Sequence, residues 1–119
     1  MTLESPASCP SAEKRAAPRG DLWREVSSLT AEADFAQWFG ADRPVEIEVG
    51  CGKGSFLVVA ARTRPEVSFV GVETEGKYMK IARMKIEKRG IATVRFVHGD
   101  FVYFLLNHVA PAAVSAYHF

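Results

Sequence analysis

The sequence predicts an α/β fold, a doubly wound parallel sheet with helices on both faces, and three observations predict it. From residue 44 onward, short apolar runs alternate with longer runs of helical periodicity. The first apolar run, Val45-Glu46-Ile47-Glu48-Val49, passes through Gly50, Gly52 and Gly54 directly into the helix-forming stretch Phe56 to Arg62, so the chain turns sharply on bare backbone. Acidic residues, Glu48, Glu73 and Asp100, stand at or just beyond the ends of three successive strands. Together these features describe the first half of a Rossmann-like sheet.

Taken in order, Met1 to Gly20 is rich in Ser, Ala and Pro, with Pro6, Pro10 and Pro18 interrupting any regular element, and reads as a disordered leader. Residues 21–43 form an N-terminal segment and linker. Within it, Leu22, Trp23, Val26, Leu29, Phe35, Trp38 and Phe39 predict one or two short amphipathic helices ending at Gly40, their tryptophans packed on a core rather than offered to a base. After the first strand and the glycine helix, Arg64-Pro65 ends regular structure. Val67 to Val72 is almost uninterrupted in apolar character, as befits a strand buried on both faces.

The helix predicted over Gly76 to Arg89 puts Tyr78, Met79, Ala82 and Ile86 on one side. Its remainder carries Lys77, Lys80, Arg83 and Lys88, with Lys85 and Arg89 at the margins, a pattern typical of a solvated face. Gly90 closes it, with Ile91 as the apolar cap contact. Thr93 to Val97 is a third strand, and Asp100 precedes Phe101 to Leu106 as a helix N-cap would. A fourth strand spans Val114 to Phe119, and the chain stops inside it, so the expected sheet is truncated there and residues 44–119 read as part of a domain. The right-handed crossover rule gives these four strands the spatial order 3-2-1-4.

Composition narrows the class. With 119 residues, 48% of them hydrophobic and 24% charged, the chain supports at most one core, and a net charge of +1 neither suggests nor excludes nucleic acid. Cys9 and Cys51 make no disulfide framework, one falling in the leader and the other in the glycine turn, which points to a reducing, cytoplasmic setting. No apolar run approaches membrane-spanning length, and His98 has no metal-ligand partner at usable spacing, so neither a membrane nor a metal is expected.

The glycine turn is spaced as G-x-G-x-G, since Ser55 stands where the last glycine of the dinucleotide pattern G-x-G-x-x-G would fall. Glu48 beside it would repel a pyrophosphate, whereas a cationic ligand would suit it. The first amides of the following helix are free to hold an anionic group. Glu73 follows Gly50 by roughly 20 positions, where an acidic strand tip accepts ribose hydroxyls in nucleoside-binding domains. Each residue also has an ordinary alternative: a plain βα turn, a solvated strand end for Glu48, a helix-starting carboxylate for Glu73, an N-cap for Asp100.

The run E-x-G-x-G-x-G, Glu48 to Gly54, resembles the first motif of class I S-adenosylmethionine-dependent methyltransferases, whose cofactor carries a sulfonium, an ammonium and a carboxylate. A closer resemblance, to the bacterial tRNA (guanine-N7-)-methyltransferases, rests on Pro44 to Gly54, Phe69-Val70-Gly71-Val72-Glu73, Lys77-Tyr78, Arg89-Gly90, Val94 to Asp100 and Tyr117-His118-Phe119. The resemblance implies S-adenosylmethionine as cofactor, with Glu48, Gly50, Gly52, Gly54, Glu73 and Asp100 at cofactor-binding positions, and methyl transfer to N7 of a guanine in the variable loop of tRNA. It also implies that catalytic and most tRNA-binding residues lie beyond Phe119, so that this chain binds the cofactor without turning over. Two alternatives stand beside it: a methyltransferase acting on another RNA, a protein or a small molecule, and a non-catalytic nucleoside-binding module. Glu46, a charge in the middle of a central strand, has no explanation in the sequence.

Overall fold

The computed structural model describes residues 22–119; the expected leader, and Asp21, lie outside the described residues. Five strands form one sheet: β1 (Trp23–Glu25), β2 (Val45–Val49), β3 (Ser68–Glu73), β4 (Val94–His98) and β5 (Ala116–His118). Every pairing is parallel and the order is β1-β4-β3-β2-β5. The four expected strands stand in the expected order, as β4-β3-β2-β5. A fifth strand, β1, is added at the edge.

The helices are α1 (Phe35–Phe39), α2 (Ser55–Thr63), α3 (Gly76–Lys88) and α4 (Phe101–His108). Alternation along the strands divides the core between two faces. Phe69, Val94 and Phe96 pack with Leu57, Val58, Ala61, Met79, Ala82 and Ile86, so α2 and α3 cover one side. Val45, Ile47, Val70, Val72 and Val97 pack with Phe35, Trp38 and Phe104, placing α1 and α4 on the other. Each fully buried side chain of this size contributes about 1.5–3 kcal/mol, which is what holds a sheet of three- to six-residue strands together.

The N-terminal segment departs from the helical expectation. Trp23–Glu25 is a strand, paired as Trp23 to Phe96, Arg24 to Val97 and Glu25 to His98, and a single 3-10 turn, Val26–Ser28, follows. Further on, Phe35–Phe39 is α-helical; Asp34 caps it by accepting a bond from Gln37 N at 3.1 Å, and Gly40 closes it at φ 69°. The free edge of β4 decides this. Leu22 and Val26, either side of β1, reach the α2/α3 core and the α1/α4 core respectively, a split that one continuous helix, which would put both on one face, does not make. Trp38 is buried, edge-on to Phe35 with ring centroids 5.2 Å apart, so the tryptophan packs as the sequence suggested.

On α3, Met79, Ala82 and Ile86 are buried as expected, but Tyr78 is 45% exposed with the Lys53 ammonium 5.6 Å from its ring centre. At the helix end, Ile91 N donates to Ile86 O at 3.2 Å, the cap that Gly90 and Ile91 foretold.

Glu46 now has an account. It is 5% exposed on the α2 side of β2, where both guanidinium nitrogens of Arg64 donate to its carboxylate and His118 Nε2 lies 2.8 Å from Oε1. The group joins the end of α2 to β2 and β5. The Arg64 hydrogen bonds, resisted by burial and aided by His118, hold the Glu46 pKa below the ordinary carboxylate value. A depressed acid pKa contributes stability that is present above the unfolded value and lost as pH falls through the folded one. Wild-type stability, followed by urea unfolding, is therefore expected to fall on acidification below about pH 4.5, and Glu46→Gln to flatten that decline; an unchanged acid slope would refute the assignment.

Candidate nucleoside site at the carboxyl edge of the sheet

The site grows from the turn between β2 and α2. Gly50, Gly52 and Gly54 have φ values of 73°, 56° and 85°, which side-chain-bearing residues adopt at a cost. The three glycines have different work. A Cβ on Gly50 or Gly52 would meet nothing within 4 Å, so these two leave backbone open to an incoming group. A Cβ on Gly54 would stand 2.8 Å from the Ala82 Cβ, so this glycine is where α2 and α3 touch.

Neighbouring strand tips hold the turn in place. Gly50 N and Cys51 N both donate to Val72 O, at 2.7 and 3.1 Å. Gly52 N donates to Glu73 Oε1 at 2.8 Å, and Glu75 N to Glu73 Oε2 at 2.9 Å. Gly99 N donates to Glu73 O at 3.1 Å, bringing the β4 tip alongside. Glu73 thus braces the glycine turn with one oxygen and the start of α3 with the other, and each carboxylate oxygen retains a second acceptor position. Its expected helix-starting role and its place beside the turn coexist.

Glu48 is held differently. It is half-buried, and its Oε1 is inaccessible to solvent with no hydrogen-bond partner among the described residues. Burial and the nearby Glu73 charge push its pKa up to about 7, against the opposing pull of His118. Near neutral pH that burial favours its protonated, neutral form. The thiol of Cys51 is buried in the same turn, and burial first, then Glu48 and Glu73, push it up to about 12, so it is no nucleophile at neutral pH.

Asp100 stands slightly apart. Its carboxylate accepts from Tyr103 N at 2.7 Å, the N-cap of α4, and it lines a shallow hollow with Glu25, Val26, Ser27, His98, Gly99 and Tyr103. The structure therefore draws Glu48, Glu73 and the glycines together directly, and brings Asp100 to them through the Gly99 link. Sequence reasoning missed Glu25, which sits in the segment read as helical and carries no signal of its own. Among the described residues, no group of His, Cys, Asp and Glu could hold a metal ion, and no helix is long and apolar enough to cross a membrane.

Residues 42–119 match a protein family described as "Putative methyltransferase". The chain is 38% identical over 95 residues to the tRNA (guanine-N(7)-)-methyltransferase of Rubrobacter xylanophilus, covering 78% of this chain and 42% of that protein. It is 37% identical over 81 residues to the enzyme of the same name from Rhodopirellula baltica, covering 67% of this chain and 30% of that one. The chain thus spans less than half the length of these relatives. The crystal structure of the bifunctional kinase-methyltransferase WbdD superposes on 70% of this chain and 18% of its own with a TM-score of 0.56 at 14% identity, a likeness of fold alone.

Proposed function

Because the chain belongs to this methyltransferase family over residues 42–119, we propose that it binds S-adenosylmethionine at the β2–α2 turn and serves methyl transfer to N7 of a guanine in tRNA. The observation that carries the reading is the buried, unpartnered Glu48 Oε1 beside two glycines whose surroundings are open. A ligand bearing an ammonium and a carboxylate fits this pair: Glu48 receives the cation, and the first amides of α2 receive the anion. A pyrophosphate does not fit, because Glu48 and Glu73 would both repel it. The free acceptor positions of Glu73 suit ribose hydroxyls, and Asp100 stands at the next strand tip, toward the base.

When bound, S-adenosylmethionine supplies an electrophilic methyl group on a sulfonium. The acceptor, guanine N7, already carries an in-plane lone pair, so no residue need remove a proton and the protein's task is placement. Glu48, Gly50, Gly52, Gly54, Glu73 and Asp100 are the residues proposed to provide it on the cofactor side. The tRNA partner follows the names of the relatives, and modification of tRNA agrees with a reducing, cytoplasmic setting.

Calorimetry with S-adenosylmethionine and with NAD tests the ligand class. At pH 6 Glu48 is largely protonated in the free protein, and pairing with an ammonium ionises it, so binding is expected to release a proton. The observed heat should then vary with the ionisation enthalpy of the buffer at pH 6, and that dependence should be much smaller at the same pH in Glu48→Gln. Heat with NAD and none with S-adenosylmethionine would overturn the reading.

A further inference from the structure

His98 is tied on both sides of its ring. Nδ1 lies 2.8 Å from Glu25 Oε1 and Nε2 lies 3.0 Å from the carbonyl oxygen of Thr74. A carbonyl oxygen only accepts, so Nε2 carries a hydrogen. An ionised carboxylate also only accepts, so Nδ1 carries one too. A ring that donates from both nitrogens is an imidazolium. Trp23 tilts against the ring with centroids 5.7 Å apart, and its Nε1 donates to the other oxygen of Glu25 at 2.8 Å. The backbone of α3 closes in at Gly76, where a Cβ would stand 3.6 Å from Nε2.

This clamp leads to the site by a continuous path. Glu25 on the edge strand holds His98, and His98 holds the Thr74 carbonyl. Thr74 follows Glu73, whose two carboxylate oxygens fix Gly52 and Glu75, while Gly99, next to His98, bonds the Glu73 carbonyl. We propose that His98, as an imidazolium held between Glu25 and Thr74, is a positioning residue for Glu73 and the glycine turn, so that nucleoside-cofactor binding depends on the His98 proton. The inference rests on the cofactor reading above and adds the N-terminal edge strand to it.

The charged groups facing the ring are Glu25 from β1 and Glu73 from the β3 tip, with Asp100 of the α4 cap lining the same hollow. Glu25 above all, then the Thr74 carbonyl and the Glu73 charge, raise the His98 pKa above its ordinary value despite partial burial. For Glu25, burial pushes the pKa up, but the bonds from Trp23 and His98 prevail and lower it. A raised histidine pKa gives a contribution fully present below the unfolded value and lost as pH rises through the folded one; a lowered glutamate pKa gives one lost as pH falls through its folded value. The clamp is intact between those limits.

Two measurements on the full chain test this. Nitrogen-15 NMR of the His98 ring should show both nitrogens protonated at pH 6.5 and a titration midpoint above about 6.5, falling toward that figure in Glu25→Gln. Calorimetry should give an S-adenosylmethionine Kd for Glu25→Gln that exceeds the wild-type Kd several-fold at pH 6.5, the ratio collapsing to one or below as pH passes the wild-type His98 midpoint. Taking the ratio cancels the titration of Glu48, which both proteins share. A bare ring nitrogen at pH 6.5, a midpoint unmoved in Glu25→Gln, or a pH-independent Kd ratio would overturn the proposal. Absence of binding at any pH, with the ring protonated as described, would instead overturn the cofactor reading and the linkage with it, leaving only a structural clamp.

Discussion

Gly54→Ala is expected to destabilise the fold by about 2–5 kcal/mol, lowering the Tm by more than about 10 °C in a domain of this size. Two costs add. A side chain at φ 85° is strained, at about 1–2 kcal/mol. The new methyl would also stand 2.8 Å from the Ala82 Cβ and 3.1 Å from its Cα, and Ala82 is fully buried on a helix with no room to retreat. Gly50→Ala is the control, since its φ of 73° carries a similar torsional strain but its Cβ would meet nothing within 4 Å. Thermal unfolding of the two should therefore differ by the overpacking cost alone, about 1–3 kcal/mol. Equal losses would show that α2 and α3 do not meet at Gly54.

Glu73→Ala is expected to weaken S-adenosylmethionine binding by about 1–3 kcal/mol, roughly 5- to 150-fold in Kd. The substitution removes the acceptor for Gly52 N and for Glu75 N, so the turn loses its brace at the moment the nucleoside loses an acceptor for its hydroxyls. Glu73→Gln should fall between wild type and Ala, because an amide has one carbonyl oxygen and can keep one of the two backbone bonds. Calorimetric titration of the three proteins checks the order. Unchanged affinity in Glu73→Ala would make the residue a helix-starting carboxylate and nothing more.

The glycine turn was legible because its chemistry is local. A strand, three glycines at alternate positions and a helix-forming run admit few conformations, and the acidic strand tips follow from the alternation of elements. The order of the four strands was legible for a similar reason: parallel strands joined by single helices obey one handedness. Tyr78 shows the limit of periodicity, since a residue at the boundary of a helical face faces whichever way its neighbours allow, and here Lys53 of the turn leaves it at the surface.

Residues 23–25 show a deeper limit. The apolar pattern of this short stretch predicted a helix, and the vacant edge of β4 supplied the backbone partners that made it a strand instead. Glu46 illustrates the same thing in charge. The sequence placed a carboxylate in a central strand without a reason, and the reason is a guanidinium and an imidazole that come from positions 64 and 118.

The sequence by itself determined the α/β class, the position of the turn and the acidic strand ends, since each depends on residues adjacent in the chain. Only the tertiary structure decided which carboxylates are satisfied and which keeps a buried oxygen without a partner. That distinction arises from partners far apart in sequence and from exclusion of water, and neither exists until the sheet has closed its faces.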